Sequence, residues 1–149
     1  MTKTTSLIKP AGLTLLLYIA LSVLSSIVLT GFWQAGIDTT SMTNQELMLL
    51  AESSAYIKTG SAIIGAACAI LCAFILSLKK TPGYRPALVF AAMLILYGAL
   101  SIVLHPEHTA LQQVSKIVMP VPLCLLGTWL AHRFHAFRAG SGVAAIDTP

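Results

Sequence analysis

The chain has 149 residues, 56% of them hydrophobic and 9% charged, with nine Lys and Arg against five Asp and Glu. A soluble domain carries about 25% charged residues, so the composition excludes one and indicates a single membrane-embedded unit of several spans. The formal charge of +4 does not imply a nucleic-acid partner, because the basic residues fall in short segments between apolar runs, as topology signals do.

Met1 to Lys9 is polar, and Pro10 stands where a helix can begin without losing a hydrogen bond. A first span is predicted over about 10–32. It is longer than a signal-peptide apolar region and has no small-x-small closing site, so it is expected to be retained. Thr14, Tyr18, Ser22, Ser26 and Thr30 recur every four residues, with Ser25 beside them. Each hydroxyl can bond back to its own helix, while the ridge as a whole is expected to mark a helix interface. Trp33 closes the span at interfacial depth. In the following loop Thr43 and Glu46 have capping-box spacing, which predicts an additional short outer-surface helix between spans one and two.

The second span, 59–78, is an uncharged run of 20 residues followed by Lys79 and Lys80. It covers about 30 Å at helical rise, the thickness of a bilayer's hydrocarbon core. Helical winding puts Ser61, Gly65, Ala69 and Ala73 on one face with Cys68 and Cys72, and Ile63, Ile64, Ile70, Leu71 and Phe74 on the other. The small face is read as the packing centre of the chain, with the hydroxyl ridge as its neighbour. On that reading Gly65→Leu disrupts assembly and Ile70→Leu does not.

Pro82 and Gly83 supply a turn into the third span, 86–104, where Tyr97 and Ser101 are expected to hydrogen-bond toward the first span's ridge. Thr109 and Gln112 repeat the capping-box spacing before the fourth span, 111–134. Pro120 and Pro122 should kink or loosen its outer half, and Lys116 should snorkel to the outer headgroups. Residues 1–138 are expected to form one domain, and 139–149 a disordered cytoplasmic tail. The fold class is therefore all-α: a polytopic membrane protein with a four-helix transmembrane bundle. Seven of the nine basic residues, including Lys79, Lys80, Arg85, Arg133 and Arg138, fall on one side, which predicts cytoplasmic N- and C-termini in a bacterial inner membrane.

His105 with His108 and His132 with His135 have HxxH spacing. The two pairs lie on opposite sides of the bilayer, and Pro106 breaks the first. With no third ligand of matching depth, the histidines read as interfacial rather than as haem or metal ligands. Cys68, Cys72 and Cys124 could together hold a soft cation such as Cu(I), but buried thiols of this kind are ordinarily packing groups. No catalytic, cofactor or metal site is expected. An outer-interface binding site would involve His105, His108 and Lys116.

No Asp, Glu, Lys or Arg lies at the centre of a predicted span, which argues against ion-coupled transport. No nucleophile elbow, zinc motif or phosphate loop occurs either. The expected role is structural, accessory or regulatory, through helix packing in the lipid bilayer with itself or with a larger membrane partner. A minimal carrier or channel for an apolar or lipidic compound is the alternative, and a membrane redox or haem subunit the third reading.

Overall fold

The computed structural model describes residues 2–38, 41–78, 84–104 and 110–143. Among the described residues the helices are, in order, α1 (Thr2–Ala35), α2 (Asn44–Ser53), α3 (Ala55–Leu78), α4 (Arg85–Leu104), α5 (Ala110–Val118) and α6 (Pro120–Val143). No strand occurs among the described residues. Leu7–Ala35, Ala55–Leu78, Arg85–Leu104 and Gln113–Arg138 are each long and apolar enough to cross a membrane. The chain is a multi-pass membrane protein with an all-helical four-span fold.

Local chemistry sets the helix ends. The α1 helix starts at Thr2, so Pro10 lies inside it rather than at its beginning. Its last turn closes through short-range bonds from Gly36 N–H to the Trp33 carbonyl and from Ile37 N–H to the Gln34 carbonyl. The expected capping box starts α2: Thr43 N–H donates to Glu46 Oε2 at 2.8 Å, and Glu46 N–H donates to Thr43 Oγ1. The Thr43 N–H and the Thr43 hydroxyl both donate to the Glu46 carboxylate and hold its pKa below the usual 4.5. Ser54 then serves two helices. Its N–H caps the Leu50 and Ala51 carbonyls at the end of α2, and its Oγ accepts from Ile57 N–H in the first turn of α3. The second capping-box pair, Thr109 with Gln112, and the connector 79–83 lie outside the residues described in full.

The fourth span is divided at Met119. Met119 N–H still reaches the Ser115 carbonyl, and Leu123 N–H the Met119 carbonyl. Pro120 and Pro122 sit in the first turn of α6, where a missing N–H is tolerated. They withdraw the donors that the Lys116 and Val118 carbonyls would otherwise receive. At the other end α6 continues to Val143, and 144–149 of the expected tail lie outside the described residues.

Around the bundle the spans run α1, α3, α6, α4 and back to α1; α1 and α6 share no contact among the described residues, and α5 lies against α4. Two ends can be distinguished. The basic end carries Arg85, Arg133 and Arg138; the other carries α2. The core lies toward the basic end and joins Ala11 of α1, Ala69, Cys72, Ala73 and Leu76 of α3, Ala87, Phe90, Ala91 and Leu94 of α4, and Cys124 of α6.

Candidate functional site

The closest helix approach is between α3 and α6. A Cβ added at Gly127 would clash with the Ile70 carbonyl oxygen and lie 2.9 Å from Ala73 Cβ and 3.1 Å from Phe74 N. Gly127 therefore allows the two backbones to meet, as small residues do between membrane helices. One residue on, buried Thr128 donates to the Cys124 carbonyl at 2.9 Å and accepts from Ser77 Oγ of α3 at 3.1 Å. Ala131, one turn after Gly127, is also buried. The signal was present in the sequence as small residues at positions 127, 128 and 131, although attention to α3 alone passes over it.

The four positions expected to form the packing face do not share one environment. Ala69 and Ala73 are buried, Gly65 is half-buried and Ser61 is exposed. An added Cβ at Gly65 would come no nearer than 3.7 Å to the Tyr18 hydroxyl, an ordinary contact. The tightest packing therefore belongs to Gly127 of α6, with the half of α3 nearest the basic end as its partner. The three thiols all lie in the buried interior. No group of three or more His, Cys, Asp and Glu side chains is gathered in metal-binding geometry among the described residues.

A second close approach joins α4 to α5. A Cβ at Gly98 would stand 2.8 Å from the Lys116 carbonyl oxygen. That is the carbonyl Pro120 leaves without its helical donor, and the bare α-carbon of Gly98 lets α4 press against it. The Lys116 ammonium donates to Ser101 Oγ at 3.0 Å. Ser101 was expected to face the first span's ridge; its recorded partner is instead this lysine. The half-buried side chain of Lys116 thus turns toward α4, while Val114, Ile117 and Val118 are exposed on α5. His105 and His108 lie outside the described residues.

The hydroxyl ridge of α1 divides into two parts. Thr14 is buried and donates to the Pro10 carbonyl at 2.8 Å, the back-bonded geometry expected of a single hydroxyl. Tyr18 packs edge-on against Phe90 of α4, with ring centroids 6.5 Å apart. Beyond it, Ser22, Ser26, Thr30 and Gln34 line an open groove of about 620 Å³ that α4 closes on one side with Tyr97. The Ser22 hydroxyl is enclosed and makes no hydrogen bond of good geometry among the described residues; its polar neighbour is Tyr18, one turn earlier. At 100° per residue, a row spaced by four advances about 40° per step and about 160° from Thr14 to Thr30. One straight neighbour cannot cover both ends of such a row. Leu24, Ile27 and Val28 are exposed alongside, and only 6% of the most apolar stretch of this span is buried, against 28–33% in the other three.

Comparison with protein-family models, curated proteins and solved structures gives no match.

Proposed function

We propose that this protein is a small bacterial inner-membrane subunit with a structural, accessory or regulatory role, and that it acts by packing a further transmembrane helix onto α1. The observation that carries this reading is the groove in the half of α1 nearest α2. There Ser22, Ser26, Thr30 and Gln34 present hydrogen-bonding groups beside exposed apolar side chains. In hydrocarbon, such groups favour contact with another helix that can return their hydrogen bonds, and small residues such as Gly31 let it come close. The helix would come from a second copy or from a larger membrane protein. The excess of Lys and Arg at the basic end supports a cytoplasmic placement of that end.

Gentle detergent extraction followed by size and partner analysis tests the reading. An assembly larger than one chain is expected, and Ser26→Leu with Thr30→Leu should release it. A strictly monomeric protein with no co-purifying partner would overturn it.

The interrupted fourth span favours a second reading, a minimal carrier for an apolar or lipidic compound with the Met119–Pro120 break as its moving part. Flux in liposomes that falls on Pro120→Ala would favour the carrier.

A further inference from the structure

The basic end of α6 holds a feature that helix packing does not use. The α3 and α6 helices run in the same direction, and the backbone contact of Gly127 with Ile70 and Phe74 sets their relative depth. Gly127 lies against Ile70, Ala73 and Phe74, so Leu78, the last helical residue of α3, stands about level with Arg133, and the part of α6 after Arg133 extends beyond the end of α3. Arg133 is then about level with the end of α3, and Arg138, five residues on, lies about 7 Å beyond it along the axis. That is headgroup depth if the end of α3, where Lys79 and Lys80 follow in the chain, marks the edge of the hydrocarbon.

Neither arginine simply extends into water. The Arg133 guanidinium lies over the Trp129 ring, 5.2 Å from its centroid, and that of Arg138 lies over Phe134 at 5.5 Å. Each is folded back one turn onto an aromatic ring, the direction in which helical side chains lean. This keeps both cations beside the hydrocarbon edge. A groove of about 630 Å³ adjoins them, lined by Phe74, Leu130, Arg133, Phe134, Ala136 and Phe137. The Phe74 and Phe134 rings meet edge-on at 6.0 Å and tie its wall to both helices.

We infer that this groove is a binding site for one anionic phospholipid, its acyl chain along Phe74, Leu130 and Phe134 and its phosphate at Arg133, with Arg138 as the second cation. The argument is complementarity of both shape and charge. An aqueous anion would not use the apolar wall, and a partner helix would bury Arg133 without an opposing charge. A phospholipid satisfies both, because its phosphate stays hydrated at the surface while its chain covers the phenyl rings. Cation–π contact leaves the guanidinium N–H groups free in direction to donate to phosphate oxygens.

Native mass spectrometry of the full chain, released from detergent micelles supplied with either phosphatidylglycerol or phosphatidylethanolamine, tests the inference. The parent protein should retain one phosphatidylglycerol about fivefold more than phosphatidylethanolamine, the ratio expected for one basic residue near the surface. Arg133→Gln should erase that preference and Arg138→Gln should reduce it. Arg85→Gln, at the start of α4 and outside the groove, should leave it intact. Both α6 substitutions are at exposed positions, and thermal unfolding of each variant should match the parent. Equal retention of the two lipids by the parent, or an Arg85→Gln loss as large as that of Arg133→Gln, would overturn the assignment.

Discussion

The seam between α3 and α6 and the groove between α1 and α4 are made from similar small and hydroxylated residues, yet one is closed and the other open. At the seam Gly127, Ala73 and the Ser77–Thr128 bond meet with no space for another methyl group. In the groove Ser22, Ser26, Thr30 and Gly31 stand on a face of α1 that Tyr97 of α4 borders on one side and no helix covers among the described residues. Small residues permit close approach, but they do not determine which of two candidate faces is covered. That depends on where the other helices lie. A closed face contributes to the stability of one chain, whereas an open one is available to a partner.

The contrast is broken most severely at Gly127. Gly127→Ala places a methyl group against the Ile70 carbonyl, which cannot rotate away, so the cost should reach the upper part of the usual overpacking range of about 1–3 kcal/mol. Thermal unfolding in detergent should show a clear drop. Gly98→Ala meets the Lys116 carbonyl at the wider distance of 2.8 Å and should cost about 1–2 kcal/mol in the same assay. It should also loosen α5 from α4, read as faster amide exchange in 113–118.

The Ser77–Thr128 bond should matter less. Thr128→Val keeps the shape and removes the acceptor, and interhelical hydrogen bonds in membranes average about 0.6 kcal/mol. If Ser77→Ala and Thr128→Val each destabilise, the double variant should cost less than their sum. Gly31→Ala, in the open groove, has nothing within 4 Å of the new methyl and should leave the stability of the single chain unchanged. A Gly31→Ala loss as large as that at Gly127 would show that the groove is occupied in the protein as extracted.

The smallest effect is confined to α2. The folded state holds the Glu46 pKa below 4.5, so the capping box is fully formed above that value and is lost as pH falls through the lower folded value. Amide exchange at 44–47 should therefore accelerate in acid; Thr43→Ala, which keeps the backbone bond to Glu46, should reduce the pH dependence, and Glu46→Gln should abolish it.

Much of this architecture was determined by local composition and periodicity. Three uncharged runs of bilayer length, and a shorter one between Lys116 and Arg133, can only be helices in hydrocarbon, because every backbone group must be paired within its own segment. The Thr43–Glu46 spacing closed as a capping box because both partners lie within one helical turn. Pro120 necessarily removed a donor wherever its helix packed.

Only the tertiary structure decided which neighbour each face would meet. Ser61, Gly65, Ala69 and Ala73 share one face of a helix, but that face is longer than the contact surface offered to it, so its two ends differ in burial. Ser101, expected to face the first span's ridge, pairs with Lys116, because α5 lies against α4 at that level. Gly127 carried no stronger sequence mark than Gly65, and its importance comes from the clash a methyl group there would make with the Ile70 carbonyl of another helix. Helix formation is settled by residues a few positions apart, whereas the choice among several compatible faces is settled by how all four helices fill space together.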